Sequence, residues 1–374
     1  MKQARLAELL QSFPSLHILV VGDFFLDKYL SLDPDLSEIS LETGLEAYQV
    51  VEIRHSPGAA GTVAANLCAM DIQVSALGVI GQDGAGFDLR QGLLQRGVNI
   101  DGLIEQPNRF TPTYMKPMLR ASGAEAPSRA VANEVRLVER ELNRFDIKNR
   151  RPLPPDVETA LILRLDHLLP QVNGVIIADQ VQERNCGVVT DRVRAALAKF
   201  GQAHAATIFA ADSRVRIGEF EQVIIKPNLP EAVAAVQALD GERLTRIENP
   251  GTGELTLAQV LDVARICGEV LFEKNRQPVF ITLGANGMLV VTDAGFEHCP
   301  GLAVSGDIDI VGAGDSVMAG LVAGLCAGAT STEAASIGNL AASITIQQLG
   351  TTGTASREQL MGRFEAVQNH LTNR

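Results

Sequence analysis

The sequence has no tryptophan, and only 4% of its 374 residues are aromatic. Stacking platforms for single-stranded nucleic acid are therefore scarce. Positive charge is in deficit too: 32 Lys and Arg stand against 44 Asp and Glu, a formal net charge of −12. Such a surface repels nucleic acid and anionic membranes, although a local group of cations and backbone N–H groups can still hold a small anion. The five cysteines (Cys68, Cys186, Cys267, Cys299 and Cys326) are scattered, so no zinc or redox motif is spelled out. They read as buried apolar thiols in a reducing cytoplasm. HExxH and GxxxxGK[ST] are both missing, which excludes the common zinc-hydrolase and P-loop patterns. The start, MKQARLAELLQSF, reads as an amphipathic helix rather than a signal peptide. The apolar, uncharged run Ser316 to Thr332 is short for a membrane span and reads as a buried helix.

What is present is a set of short β-branched runs that end in a polar residue. Ile18–Gly22 ends at Asp23, Val175–Ala178 at Asp179, and Thr207–Ala211 at Asp212. Val223–Ile225 ends at Lys226, Pro227 and Asn228, and Val279–Leu283 at Gly284. Runs that are apolar on both faces suit parallel strands covered by helices, and helical patterns such as Val188–Phe200 and Leu257–Lys274 lie between them. The pattern predicts one α/β domain over 1–374, with a doubly wound, mostly parallel sheet flanked by helices. Ligands of such sheets bind beyond the carboxyl ends of the strands, where these polar residues fall. Two stretches, 28–55 and 109–148, break the rhythm and predict a small β lid inserted in the domain. Within the second, Arg136, Arg140 and Arg144 recur at helical spacing with Glu139 and Glu141 between them, which reads as a solvated, salt-bridged face.

The most specific motif is Asp309-Ile-Val-Gly-Ala-Gly-Asp315, which opens a Gly/Ala/Leu-rich helix. Glycines before a helix let several N–H groups converge on one point, where the helix N-terminus adds partial positive charge. That arrangement suits a phosphoryl group in transfer, with Gly312, Ala313 and Gly314 as its cradle and Asp315 taking the proton of an attacking hydroxyl. A glycine loop with an Asp cap is the plainer reading. Asn228-Leu-Pro-Glu231 follows a buried strand and could hold Mg2+ through water near ATP phosphates, or simply cap a helix. Thr282, Gly284 and Gly287 lie in a loop that also reads as a hairpin turn. Asp23 and Asp27 near the end of the first strand, and the segment Pro57–Asn66 with Gly58, Ala59 and Thr62, suit a polyol. Their ordinary readings are a strand-end cap and a helix start.

In this order and spacing, the motifs resemble the ribokinase-like, PfkB-type carbohydrate kinases. The resemblance implies ATP-dependent, Mg2+-assisted phosphorylation of a hydroxyl on a sugar or sugar phosphate, with Asp315 as the base. It implies nucleotide contacts at Asn228, Glu231, Thr282, Gly284, Gly287 and Asn339, and sugar contacts at Asp23, Asp27, Gly58, Ala59 and Thr62. It further implies a K+-type cation held by backbone groups around Asp309, Val311, Thr345, Gly350 and Thr354, and a homodimer through the lid. Val20–Asp27, Ser40–Leu45, Pro57–Asn66 and Asn143–Asp146 are most similar to the kinase domain of bacterial heptose-7-phosphate kinases. The chain departs from that pattern in several places. Ala59 stands where the family has the second glycine of a pair, and Thr62 where it has Asn. The stretch after Asp179 lacks the usual Tyr and Lys-Gly, and 120–155 holds an insertion. The resemblance reaches the kinase part alone, and no nucleotidyltransferase domain is expected after residue 374. A phosphorylated acceptor would need cations, for which Lys116, Arg120 and Arg54 are the candidates. A nucleoside kinase and a catalytically silent sugar- or nucleotide-binding regulator are the alternatives.

Overall fold

The computed structural model describes residues 1–121, 128–131, 134–137, 139–244 and 255–372. In chain order the strands begin with β1 (His17–Gly22), β2 (Phe24–Ile39), β3 (Glu46–Ala59), β4 (Gln73–Gly81), β5 (Asn99–Gln106) and β6 (Thr113–Arg120). Then come β7 (Ser128–Val131), β8 (Glu134–Leu137), β9 (Glu139–Glu141), β10 (Phe145–Ile147) and β11 (Gly174–Asp179). The last are β12 (Ile208–Ser213), β13 (Ile224–Ile225), β14 (Val279–Thr282), β15 (Met288–Thr292) and β16 (Gly295–Cys299).

Nine of them form one sheet in the order β16-β15-β14-β13-β12-β11-β1-β4-β5. Pairing is parallel from β14 to β5, and β15 and β16 extend the sheet antiparallel. Because successive side chains point to opposite faces, each strand feeds two cores. From β1, Ile18 and Val20 join the helices Gln3–Ser12, Ala60–Ala69 and Ala313–Cys326. Leu19 and Val21 join the helices Pro155–Leu168 and Asp191–Ala203 on the other side. That double coverage is why the runs read as continuously apolar. Ser316–Cys326 of the uncharged run lies in a buried helix, Ala313–Cys326, as expected, whereas the rest of the run turns into the helix Ser331–Thr345. Its Gly320 and Gly324 face the helix Ser331–Thr345 so closely that a Cβ would meet the Ile337 carbonyl at 3.1 Å and the Ala334 Cα at 3.2 Å. No described helix is long and apolar enough to cross a membrane.

A second sheet has the order β10-β6-β2-β3, with β9 also pairing with β6. It is built from the stretches that break the α/β rhythm. The helical spacing read over Arg136–Arg144 does not produce a helix: 139–141 and 145–147 are strands antiparallel to β6. Pairing with an existing strand edge outweighs a charge pattern that no packed face supports. The Arg136 side chain, and residues 122–127, 132–133 and 138 of the insertion, lie outside the described part. His55, on β3, has its Nε2 3.5 Å from Asp88 Oδ2.

Where β3 enters the helix Ala60–Ala69, Ala59 adopts φ +53°, ψ −118°. An L-residue is strained there, and glycine is the usual occupant. The strain costs about 1–3 kcal/mol, against about 0.4–1 kcal/mol for the extra unfolded-state freedom of glycine. Ala59→Gly is therefore expected to stabilise the fold by about 1 kcal/mol, read as a higher urea midpoint at unchanged m-value. A lower midpoint would show that the Ala59 methyl contributes more by packing than it costs in backbone strain.

Candidate active site

A cleft of about 1160 Å³ opens beyond the carboxyl ends of β12, β13 and β14, between the main sheet and the second sheet. Its floor is the turn that starts the helix Ala313–Cys326. Gly312 takes φ +79°, a left-handed start that only glycine adopts without cost. The Ala313 N–H donates to the Ile310 carbonyl at 3.2 Å, so that amide is spent within the turn. Gly314 and Asp315 occupy the first helical turn, where N–H groups have no intrahelical acceptor. The Ala313 amide thus drops out of the expected cradle, which leaves those of Gly312, Gly314 and Asp315. A Cβ on Gly314 would stand 3.7 Å from the Lys226 Nζ, which places an ammonium beside the turn.

Lys226 is buried and paired with Asp212, Nζ to Oδ2 at 2.9 Å. Burial opposes its charge, but Asp212, Glu231 and Asp315 together hold its pKa above the ordinary lysine value. Asp315 is pushed up to about 7, first by loss of water and then by the charge of Asp212, with Lys226 and Arg214 pulling the other way. A carboxyl balanced near neutral pH beside a cation is suited to proton transfer.

Asn228 and Glu231 both line the cleft. They also cap the helix Leu229–Leu244 reciprocally: the Glu231 Oε2 accepts from the Asn228 N–H, and the Asn228 Oδ1 accepts from the Glu231 N–H, both at 2.8 Å. The capping and site readings hold together, because the cap fixes the carboxylate at the cleft. Burial raises the Glu231 pKa first, aided by Asp212. Among the described residues no cluster of three His, Cys, Asp or Glu forms a metal cage. Glu231 and Asp212 both line the cleft and are among the carboxylates that could hold a hard divalent ion of the kind that needs only one or two of them.

Thr282, Gly284 and Gly287 line the same cleft in the tight β14–β15 turn, so the hairpin reading also holds. Asn339 faces it while its amide donates to the Cys299 and Pro300 carbonyls at 3.3 and 3.2 Å. From the second sheet come Asp27, Gly58, Ala59 and Lys116, with Thr62 from the following helix. The Asp27 Oδ1 lies 3.1 Å from the Lys116 Nζ, and a Cβ on Gly58 would meet the Asp27 Oδ2 at 2.7 Å.

Some expected residues lie outside the cleft lining. Asp23 does not line the cleft. Its Oδ2 accepts from Gln180 and Val181 at 2.8 and 3.0 Å and its Oδ1 from Val188 at 2.7 Å, so the carboxylate organises the 180–188 loop. Burial and the neighbouring Asp179 push its pKa up to about 6 despite those bonds. Asp179 is likewise taken up, by Arg216 at 2.8 Å and Ser213 at 2.6 Å. Of the three candidate cations only Lys116 reaches the cleft. Arg54 pairs with Glu139 and Arg120 with Glu52, at 3.2 and 2.9 Å, on the second sheet. The structure supplies Arg144 and Arg214 instead. Arg144 stacks 4.0 Å over Tyr114 and grips Asp146, and the Arg214 Nε donates to the Gln180 Oε1 at 3.4 Å. Lys226 and Asp212 were legible as strand-end residues but not as a pair, and Arg144 as part of a solvated charged row and of the Asn143–Asp146 segment but not as a cleft residue. Nothing in the sequence marks Arg214 or Gln180.

Residues 219–358 match the pfkB family carbohydrate kinase pattern. Over that stretch the chain is similar to the pfkB carbohydrate kinases. It is 26% identical over 354 residues to the bifunctional protein HldE of Desulfatibacillum aliphaticivorans, covering 94% of this chain and 64% of that one. To HldE of Citrifermentans bemidjiense it is 28% identical over 346 residues, covering 92% and 62%. The chain thus spans under two thirds of the length of these curated relatives. The fold is ribokinase-like. Arabidopsis thaliana ribokinase complexed with ribose and ATP superposes with a TM-score of 0.61 at 16% identity, covering 94% of this chain and 99% of that one. Escherichia coli phosphofructokinase-2 with substrates and products gives 0.62 at 17% identity, covering 94% and 100%.

The raised pKa of Asp315 has a consequence for stability. The folded state holds this proton more tightly than the unfolded chain, so the stability associated with it is full below about pH 4 and is lost as pH rises through about 7. Asp315→Asn should therefore stabilise the fold more at pH 8 than at pH 5, measured by urea unfolding at both. An equal effect at the two pH values would mean that Asp315 titrates normally.

Proposed function

We propose that this protein transfers the terminal phosphoryl group of ATP to a hydroxyl of a sugar phosphate. The single observation that carries the reading is Asp315 in the cleft beside free helix-start amides and the buried Lys226 ammonium. A nucleotide would lie along the β14–β15 turn toward Asn339, with its phosphates pointing at Gly314 and Lys226. Mg2+ would be held by Glu231, through water and with Asn228 beside it, and by Asp212, and would neutralise charge on those phosphates. The acceptor would lie against Asp27 and Gly58 under the second sheet. Asp315 would orient its hydroxyl and take the proton late, while the Gly314 and Asp315 amides and Lys226 meet charge on the transferring group.

Lys116, Arg144 and Arg214 support a phosphorylated acceptor. They place three cations around the acceptor end of the cleft in a chain whose net charge is −12. A heptose phosphate has suitable chemistry, and the likeness to HldE sequences agrees with it. Five unpaired thiols among the described residues suit work in a reducing cytoplasm. We also propose a homodimer through the second sheet. Its β2–β3 ribbon exposes Leu36, Ile39, Leu41, Leu45, Tyr48 and Ile53, an apolar face that a second copy would cover.

Asp315→Asn is expected to cut turnover by about 10³-fold while ATP affinity stays within a few-fold; unchanged turnover would refute the assignment. In a screen of sugars, sugar phosphates and nucleosides, sugar phosphates should give the highest kcat/KM. Arg144→Ala should lower that value by about 10–100-fold and leave unphosphorylated sugars nearly unaffected. A nucleoside preference would overturn the acceptor reading alone. For assembly, wild-type protein should sediment as a dimer at micromolar concentration and the Ile39→Glu/Leu41→Glu variant as a monomer. A monomeric wild type would refute the lid contact.

A further inference from the structure

Between Cys299, the last residue of β16, and the glycine turn the chain runs in neither helix nor strand. Gly301, Leu302, Ala303 and Val304 of this coil nevertheless form part of the cleft wall. No ladder of backbone hydrogen bonds fixes such a segment, so its position must come from packing and from side chains that reach its carbonyls. Three contacts supply it. At the start, the Asn339 amide donates to the Cys299 and Pro300 carbonyls. Next, Gly301 lies so close to the Ala285 carbonyl of the β14–β15 turn that no side chain would fit there. Last, the Arg363 Nη2 donates to the Ala303 carbonyl at 2.5 Å.

Arg363 is the unexpected member of this set. It does not line the cleft. It belongs to the helix Arg357–Thr372, which packs on the helix Ser331–Thr345. Its Nε donates to the Ser343 Oγ at 3.1 Å. Ser343 lines the cleft from the helix Ser331–Thr345, one helical turn beyond Asn339. The Ser343 hydroxyl gives its own proton to the Leu340 carbonyl at 2.8 Å, so its oxygen is left to accept from the guanidinium. One side chain from outside the cleft therefore holds two parts of its wall, the coil at Ala303 and the helix at Ser343.

We propose that Arg363 is a positioning residue for nucleotide binding. It braces the coil 301–304 against the helix Ser331–Thr345 and so sets the width of the slot that receives the base end of the nucleotide. This rests on the placing of the nucleotide along the β14–β15 turn toward Asn339. A guanidinium suits the task because its N–H groups leave one rigid plane in fixed directions, so the two acceptors are held at a set separation. A lysine ammonium on a flexible stem would be a single point between them. Both acceptors of Arg363 lie on the Asn339 side of the cleft, whereas Asp27, Gly58 and Lys116 approach from the second sheet. Loss of the brace should therefore weaken the nucleotide and spare the acceptor.

ADP binding, measured by calorimetry, tests the brace apart from any transfer. Arg363→Ala should weaken ADP about tenfold, the worth of a hydrogen bond from a charged donor. In turnover, the KM for ATP should rise by a similar factor while kcat and the acceptor KM stay within about twofold. Arg363→Lys, which keeps one donor, should lose about threefold in ADP affinity. Arg357→Ala is the control for loosening of the same helix. Its Nε donates to the Asp71 Oδ2 at 2.7 Å, away from the coil, so this variant should keep the wild-type ADP affinity. Unchanged ADP affinity in folded Arg363→Ala protein, or an equal loss in Arg357→Ala, would overturn the proposal. If Arg363→Ala does not fold, Arg363→Lys decides, and wild-type ADP affinity in that variant would overturn it. Wild-type protein that binds ADP but phosphorylates no acceptor would remove the kinase reading, and the ADP comparison would still judge the brace. Wild-type protein that binds no ADP would remove both.

Discussion

The site depends on a buried ion pair at the end of the main sheet. Lys226 sits at the tip of β13 and Asp212 near the end of β12, and parallel pairing sets the two strands side by side. Neither charge would be tolerated alone at that depth, since burying an unpaired ion costs several kcal/mol. Together they place an ammonium beside Gly314, and the same Asp212 charge helps hold Asp315 near neutrality. One pairing therefore sets both the charge that would meet a phosphoryl group and the basicity of the group that would take the proton.

Around this pair, carboxylates that look equivalent in sequence have divided their tasks. Asp23 and Asp179 are consumed by backbone amides, Ser213 and Arg216, and so hold the 180–188 loop in place. Asp27, four residues after Asp23, faces the cleft from the second sheet. The break between β1 and β2 at Asp23 produces this split, because the chain leaves one sheet and enters another there. The 180–188 loop then presents Gln180 to Arg214, so a carboxylate outside the cleft still shapes the acceptor end.

The departures from the family pattern fall on the acceptor side. Ala59 keeps a backbone geometry that suits glycine, and Thr62 puts its methyl within 3.2 Å of where a Cβ on Gly312 would lie. Thr62 thereby narrows the space beside the glycine turn. The side proposed for the nucleotide, from Asn228 to Asn339, lines the cleft with the expected polar set. Such a division is what a fixed reaction with a changed acceptor would require.

The sequence by itself determined the fold class and the identity of the turn at 312–315. Strand-length apolar runs demand cover on both faces, and only a glycine-opened helix start with an acid fits that local chemistry. The capping pair Asn228/Glu231 was legible for the same reason, since its partners lie three residues apart. Tertiary structure decided which strand-end acids reach the cleft, which arginines supply its charge, and that Arg140 and Arg144 lie in or beside strands rather than on a helix. Those outcomes turn on contacts between segments far apart in the chain, such as Lys116 with Asp27, Arg54 with Gly350 and Arg216 with Asp179. Local propensity carries no information about a partner dozens or hundreds of residues away. Long charged side chains go wherever packing leaves them an acceptor.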